Sequence, residues 1–187
     1  MRTLKLQIQT TIDGYMGGPE GEMDWMDFNW SDDVGAYIDA MTSSVDCILL
    51  GRELAGGFIP TWAAEPQGES KETVAWMNDT PKVVVSNTLT ESPWPNATIL
   101  GGDLASAIRD LKERPGGDII TYGGAKLASG LIAEGLIDEI HLFVNPVSIG
   151  RGLPVFPDVA GHQRFRLAGA RPFECGITAL HYAPKRD

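Results

Sequence analysis

Short apolar runs alternate along the chain with longer stretches in which apolar residues recur every three or four positions. Short runs are typical of buried β-strands, and the three-four spacing is typical of helices with one buried face. The strands predicted in this way comprise residues 4–9, 45–50, 82–85 and 119–122. Strands that alternate with helices predict a mostly parallel sheet joined by crossover helices.

Residues with short polar side chains mark the starts of two predicted helices, because such residues cap free backbone N–H groups. Ser31 precedes the first helix, and Asp103 precedes the second. The apolar positions of the first helix are Val34, Tyr37, Ile38, Met41 and Val45. A third helix is predicted for residues 125–134, because Gly135 ends the helical spacing.

The pattern changes towards the C-terminus, where the last apolar runs follow one another without a helical stretch between them. Strands are predicted for residues 137–144, 165–173 and 177–182, and the last two favour an antiparallel pair at the edge of the sheet. No internal repeat or shift in composition divides the chain. The predicted fold class is therefore α/β, with residues 1–187 forming one domain.

The charge balance argues against one class of partner. The chain has 15 Lys and Arg against 25 Asp and Glu, for a formal net charge of -10, which would repel a phosphate backbone. No stretch approaches the roughly 20 apolar residues of a membrane-spanning helix, and the N-terminus lacks a secretory pattern. We expect a cytoplasmic protein with no nucleic-acid or membrane partner.

The cysteines and histidines are widely spaced in the sequence. Cys47 and Cys175 lack the short spacing of a metal site or a redox pair, so both are predicted to be reduced. His141, His162 and His181 are scattered as well, and we expect each at the surface or the edge of the core. The sequence therefore predicts no metal site.

The most informative segment is residues 119–127, where an apolar strand runs into Gly123 and Gly124 at the start of a helix. Glycines let the backbone approach a ligand closely, and a helix N-terminus offers free N–H groups to phosphate. A tight turn from strand to helix is the alternative interpretation. The G-x-G-x-x-G pattern of a Rossmann unit is absent.

Polar residues follow two other predicted strands, Arg52 after Gly51 and the pair Ser86 and Asn87 after residues 82–85. Ligands of open α/β sheets bind at the carboxyl ends of the strands, so these ends should line one crevice. Arg52 can hold a phosphate by two parallel hydrogen bonds, which suits the 2′-phosphate of NADPH. A surface salt bridge is the alternative for Arg52.

A glycine-rich loop over residues 13–21 follows the first strand and is predicted to cover the crevice as a lid. An ordinary surface loop is the alternative. Aromatic residues could form a stacking wall for a flat substrate, although core packing explains each of them as well. The substrate-binding candidates among them are Trp25 and Trp62.

Several segments occur in an order that resembles the dihydrofolate reductase-like superfamily. They include Leu-Leu-Gly-Arg at residues 49–52, Tyr-Gly-Gly-Ala-Lys-Leu at residues 122–127, and the segment from Pro-Val-Ser to Pro-Val-Phe at residues 146–156. The chain is most similar to the reductase domain of bifunctional riboflavin-biosynthesis deaminase-reductases and its stand-alone relatives. The resemblance covers essentially the whole chain.

The resemblance implies a three-layer α/β/α fold, a homodimer, and an NADPH-dependent reductase of a small pterin-like or pyrimidine-like heterocycle. The cofactor residues that it implies are Gly51 and Arg52 at the phosphates, Ser86 and Asn87 at the adenosine, Gly123, Gly124, Ala125 and Lys126 at the pyrophosphate, and Thr10, Asp13, Gly14 and Gly18 near the nicotinamide. NADPH is the only cofactor expected.

A carboxylate that binds substrate or supplies a proton is expected near the first helix, and the candidates are Asp27, Asp32 and Asp33. Asp32 and Asp33 also suit the positive end of that helix. Glu53 and Leu54 stand where many relatives have a threonine or a similar polar residue, which weakens the expected grip on phosphate. Phe143 stands where folate reducers have a threonine, which makes reduction of dihydrofolate a weaker expectation. The alternative function is an NADP(H)-binding module or sensor without turnover.

Overall fold

The computed structural model describes residues 1–26, 30–156 and 162–185. The strands are β1 (Leu4–Thr11), β2 (Tyr15–Gly17), β3 (Val45–Gly51), β4 (Lys82–Val85), β5 (Ala97–Leu100), β6 (Asp118–Thr121), β7 (Glu139–Asn145), β8 (Leu153–Pro154), β9 (Phe165–Pro172) and β10 (Thr178–Pro184). The helices are α1 (Asp32–Thr42), α2 (Arg52–Ala63), α3 (Lys71–Asp79), α4 (Leu104–Glu113) and α5 (Ala125–Ala133).

Eight strands form one sheet in the order β5-β4-β3-β6-β1-β7-β10-β9, and β2 pairs with β8 beside it. β1 lies between β6 and β7 and is parallel to both. β10 is antiparallel to β7 and to β9, so the C-terminal hairpin forms one edge of the sheet. The predicted parallel sheet with an antiparallel C-terminal edge is confirmed.

Side chains of the central strands alternate between the two faces, and helices cover both faces. In β3, Cys47 and Leu49 pack with the α4 and α5 side, whereas Ile48 and Leu50 pack with α1 and α2. Buried strands with apolar residues on both faces are typical of sheets that are covered on both sides. No helix in the described parts of the chain has the length and apolarity to cross a bilayer.

Several elements were not predicted from the sequence. α2 contains Pro60 and a glycine pair, and α3 has no buried residue, so neither shows a clear apolar face. The short strands β2, β5 and β8 were missed as well. Val45 was assigned to the apolar face of the first helix, which is wrong, because α1 ends at Thr42 and Val45 begins β3.

A buried ion pair connects α4 to the central strand. The Lys112 side chain is only 6% exposed, and its ammonium group lies 2.5 Å from Asp138 and donates to the backbone oxygen of Leu136 at 3.0 Å. The same Asp138 oxygen accepts a hydrogen bond from the backbone N–H of Leu4. One carboxylate thus fixes the end of α4 beside the first residue of β1.

We predict that Lys112→Met lowers the free energy of unfolding by about 3 kcal/mol, because the variant leaves a partly buried carboxylate without its cation. Urea unfolding followed by circular dichroism measures this change. Lys71→Met is the matched control, since Lys71 is exposed at the start of α3 and should change stability by less than about 0.5 kcal/mol. Equal losses in both variants would contradict a stabilising role for the ion pair.

Candidate functional site

A large cleft lies at the carboxyl ends of the parallel strands. β4, β3 and β6 are neighbours in the sheet, and Gly51 at the end of β3 pairs with Val85 at the end of β4. The cleft has a volume of about 1160 Å³. Six of the predicted cofactor residues line it: Gly51, Arg52, Asn87, Gly124, Ala125 and Lys126.

Gly123 and Gly124 link β6 to α5 in a backbone conformation that favours glycine. Their φ angles are +98° and +82°, in the left-handed region. A Cβ atom at Gly123 would lie 2.9 Å from the terminal methyl of Met16, and one at Gly124 would lie 3.5 Å from Cβ of Leu54. Gly124 lines the cleft, whereas Gly123 is covered by Met16 of β2.

Two helices begin at the cleft with glycine at the N-cap position. α2 is preceded by Gly51 and α5 by Gly124, so neither helix has a side chain that caps its first turn. The first-turn N–H groups of each helix therefore remain available, and the helix dipole makes this region electropositive. This arrangement suits a phosphate group.

The charged side chains at the mouth of the cleft have mixed signs. Arg52, the first residue of α2, is exposed, and its guanidinium forms no ion pair with any described residue. The ammonium group of Lys126 lies 3.3 Å from a carboxylate oxygen of Glu53, and both side chains are largely exposed. Arg52 is thus available to an anionic ligand, whereas Lys126 already has a weak partner.

Ser86 and Asn87 shape the loop after β4. Ser86 is buried, and its hydroxyl accepts hydrogen bonds from the backbone N–H groups of Thr88 and Leu89 at 3.2 and 3.1 Å. Asn87 accepts from the N–H of Gly102 at 2.7 Å, and Asn87 lines the cleft. Ser86 therefore holds the turn, and Asn87 faces the space where a ligand would lie.

The loop after β1 is attached to the segment before β8 by Asp13. Its carboxylate accepts hydrogen bonds from the hydroxyl of Ser148 at 3.0 Å and from the backbone N–H groups of Ile149 and Gly150 at 3.2 and 2.7 Å. The hydroxyl of Thr11, together with these donors, lowers the pKa of Asp13 to about 2. Asp13 therefore anchors the loop and does not line the cleft.

The other predicted residues of this loop support its backbone. The buried Thr10 hydroxyl donates to the backbone oxygen of Tyr15 at 3.1 Å. Gly14 accepts from the N–H of Val155 at 3.2 Å, and Gly18 donates to the backbone oxygen of Glu22 at 2.8 Å. None of the three lines the cleft, although their neighbours do. Their roles near a nicotinamide stay predictions.

The carboxylates proposed near α1 are placed away from the cleft or lie outside the described residues. Asp32 is exposed at the start of α1. Asp33 accepts from the Ser31 hydroxyl and from the backbone N–H of Glu174 at 3.3 Å, and the Ser31 hydrogen bond lowers the pKa of Asp33. Neither lines the cleft. Asp27 lies outside the described residues.

The two tryptophans predicted to contact substrate do not line the cleft. Trp25 is half-buried in the loop before α1. Trp62 lies on α2 with its ring 6.1 Å from that of Phe58, which stacks on Tyr122 at 5.5 Å. Tyr122 itself lines the cleft, so Trp62 supports the aromatic wall from behind. A direct contact of either tryptophan with substrate stays a prediction.

The cleft residues that were not identified from the sequence include Gln7, Gln9 and Tyr122. The Gln7 side-chain oxygen, the Gln9 amide nitrogen and the Tyr122 hydroxyl are buried and form no hydrogen bond within the described residues. Burial raises the pKa of Tyr122, so its hydroxyl remains protonated at neutral pH. The sequence did contain a signal for the two glutamines, since Gln7 and Gln9 interrupt an apolar strand at alternate positions on one face.

The architecture is that of the dihydrofolate reductase-like α/β fold. Dihydrofolate reductase from Enterococcus faecalis, complexed with NADP(H), matches 98% of this chain and 97% of its own chain with a TM-score of 0.67 and 12% identity. The deaminase/5-amino-6-(5-phosphoribosylamino)uracil reductase from Thermotoga maritima matches 98% of this chain and 57% of its own with a TM-score of 0.71 and 18% identity. Likenesses at these identities establish the fold.

Sequence comparison assigns the chain to a family within that fold. The model of the RibD C-terminal domain matches residues 2–179, and the chain therefore belongs to this family. The uncharacterized protein YyaP of Bacillus subtilis (strain 168) is 33% identical over 184 residues, which cover 97% of this chain and 94% of YyaP. The resemblance to riboflavin-biosynthesis reductase domains is thereby confirmed at the level of the family.

We predict that Asp13→Ala raises the amide hydrogen-exchange rates of Ile149 and Gly150 by roughly tenfold, because their acceptor is removed. In the native protein the depressed pKa means that the anchor is complete above the ordinary value of 3.8 and is lost only as pH falls through about 2. Exchange measured at neutral pH by mass spectrometry tests this. Asp110→Ala on the exposed face of α4 is the control, and unchanged rates in Asp13→Ala would exclude the anchoring role.

Proposed function

We propose that this chain is an NADPH-dependent reductase that transfers a hydride to a small polar heterocycle. The pterin and pyrimidine classes are the proposed substrates, including the type reduced in riboflavin biosynthesis, 5-amino-6-(5-phosphoribosylamino)uracil. The observation that carries the proposal is that two glycine-capped helix starts and the unpaired Arg52 meet at one cleft. Membership of the RibD C-terminal family supports the same activity.

The residues of the cleft fit a phosphorylated dinucleotide. The start of α5 would hold the pyrophosphate, and Arg52 at the start of α2 would hold the 2′-phosphate through its two parallel N–H groups. Asn87, at the end of β4, lies where the adenosine would bind. The volume of about 1160 Å³ exceeds the usual upper range of roughly 1,000 Å³ for one small ligand. A coenzyme and a second small molecule can therefore share the cleft.

When bound, the coenzyme supplies the hydride, and the protein supplies position and hydrogen bonds. The protein side of the substrate pocket consists of Gln7, Gln9 and Tyr122. The Gln7 side-chain oxygen, the Gln9 amide nitrogen and the Tyr122 hydroxyl lack partners among the described residues, whereas the Gln9 side-chain oxygen accepts a hydrogen bond from the Asn145 amide. A buried polar atom without a partner costs free energy, so a ligand that pairs with it binds more tightly. Amide and ring-nitrogen groups of a pterin or pyrimidine match these donors and acceptors.

Tyr122 contributes a hydrogen-bond donor and does not act as an acid. Burial raises its pKa, so the hydroxyl keeps its proton through the physiological range. Its ring packs against Phe58 at 5.5 Å with an interplanar angle of 20°, which fixes the direction of the hydroxyl. A rigid donor of this kind orients a planar substrate beside the nicotinamide site.

A homodimer is part of the proposal. β9 is the outer strand of the sheet, and Leu167 on it is 53% exposed. An edge strand presents unpaired backbone groups that can pair with a second copy. We also propose a cytosolic location, because reduced coenzyme and the free thiols of Cys47 and Cys175 fit a reducing compartment.

We predict that Arg52→Ala weakens NADPH binding by roughly 10- to 100-fold, because a charge-assisted pair with phosphate is lost. NADH binding should change by less than about twofold, since NADH lacks the 2′-phosphate. Fluorescence titration of each coenzyme gives the dissociation constants. Arg109→Ala on the exposed face of α4 is the matched control. Equal losses for both coenzymes would remove the assigned role of Arg52.

We predict that the protein oxidises NADPH in the presence of at least one pterin or pyrimidine. Gln7→Met should lower kcat/KM for that substrate at least roughly tenfold, because the contact between the Gln7 amide and the substrate is lost. The dissociation constant of NADPH should stay within about twofold in this variant. Loss of nicotinamide absorbance measures turnover, and the exposed Gln67→Met is the control. Tight NADPH binding without turnover on any candidate would support the module or sensor instead.

A further inference from the structure

The fold brings together two histidines that are far apart in the sequence. His141 on β7 is paired directly with His181 on the antiparallel strand β10. Their rings are stacked with centroids 4.2 Å apart and an interplanar angle of 13°. Neither residue lines the cleft at the carboxyl ends of the strands. The pair therefore needs an explanation that is independent of the coenzyme site.

Glu139 completes a group of three potential metal ligands. It precedes His141 by two positions on β7, so both side chains point to the same face of the sheet. Its carboxylate oxygen lies 3.1 Å from Nε2 of His141 and 3.6 Å from Nε2 of His181. Ligand atoms around a tetrahedral Zn²⁺ are separated by roughly 3.3 Å when each bond is near 2.0 Å. The two separations from Glu139 lie on either side of that value, and all the ligand atoms of the group lie within 4.8 Å of one another.

The contact between Tyr37 and Nδ1 of His141 leaves the other ring nitrogen, Nε2, directed towards the group. Nδ1 of His141 lies 3.4 Å from the Tyr37 hydroxyl on α1, and the His141 side chain is only 5% exposed. Metal-binding histidines usually have a hydrogen-bonding partner at the second ring nitrogen, which fixes the ring orientation. Tyr37 occupies that position, so Nε2 of His141 faces Glu139 and His181.

The nitrogen of His181 that faces the group has no hydrogen-bond partner. Its Nε2 is buried, and the distance of 3.6 Å to Glu139 is longer than a hydrogen bond. A bound cation would satisfy this atom. The side chain of His181 is 25% exposed, so its ring can rotate to direct the lone pair at an ion that His141 holds in place.

Nearby cations leave the group accessible to a divalent metal. Lys5 on β1 is paired with Glu139 in register, but its ammonium group lies 2.9 Å from Asp118 and donates to the backbone oxygen of Met41. Arg166 on β9 is exposed to solvent, although it lies close enough to His181 to act on it electrostatically. The Lys5 charge is therefore compensated by a carboxylate outside the group.

We propose that Glu139, His141 and His181 bind one Zn²⁺ ion, with a fourth position open to water. Two imidazole nitrogens and one carboxylate oxygen form a ligand set that zinc accepts readily. The bound ion would connect β7 to β10 and thereby fix the C-terminal hairpin on the sheet. The sequence predicted no metal site, because the spacing between the two strands hides the pairing.

The test is metal binding to the tag-free, full-length chain. Isothermal titration with ZnCl₂ should give one ion per chain, and Co²⁺ should give the absorption bands of a four-coordinate site. His181→Gln should weaken Zn²⁺ at least roughly 100-fold because one ligand is lost, and Tyr37→Phe should weaken it about tenfold. His162→Gln is the matched control and should leave binding unchanged, since His162 lies outside the group.

Circular dichroism shows whether each variant folds. If His181→Gln does not fold, Glu139→Gln provides the second test. Stoichiometric binding that survives in both His181→Gln and Glu139→Gln would place the ion elsewhere and overturn the proposal. Failure of the wild-type chain to bind Zn²⁺ would overturn it as well. NADPH binding is measured in parallel, so the outcome for the metal is independent of the outcome for the reductase.

Discussion

The parallel hydrogen-bonded register of β4, β3, β6 and β1 is the constraint on which the rest of the structure depends. Because these strands run in one direction, the segments that follow them emerge at the same edge of the sheet. The cleft is therefore a result of backbone pairing, and the side chains only decide what it can bind. The ion pair of Lys112 with Asp138 and the apolar layers on both faces keep that register in place.

The elements that could be predicted from the sequence are those whose pattern depends on burial alone. β3 and β6 read as apolar runs, and the caps of α1 and α4 marked helix starts within one residue of those observed. α2 could not be predicted, because Pro60 and two internal glycines are poor helix formers. The stability of α2 comes from packing Ala55 and Ile59 against the sheet, which local sequence does not show.

The site residues that could be predicted were also those placed by local sequence, and the residues that depend on tertiary neighbours were missed. Positions fixed by the backbone, such as Gly51, Gly124 and Lys126, were brought to the cleft as expected from the strand ends. Residues whose role depends on tertiary neighbours were missed, because Gln7 and Gln9 gain significance only when one polar atom of each side chain is found buried without a partner among the described residues. The pairing of His141 with His181 also required the antiparallel register of the C-terminal hairpin, which residue spacing cannot supply.

The contact between Lys126 and Glu53 has a consequence for how an anion enters the cleft. A phosphate that approaches Lys126 must compete with a carboxylate already beside it, so the net gain in charge pairing is smaller than for a free ammonium. Lys126 then exchanges its carboxylate partner for the phosphate, so fewer counterions are released when the ligand binds. Affinity at this end of the cleft should therefore vary less with ionic strength than the positive helix start and lysine alone would suggest. Glu53 acts here as a built-in competitor that weakens the hold of this end of the cleft on any anion.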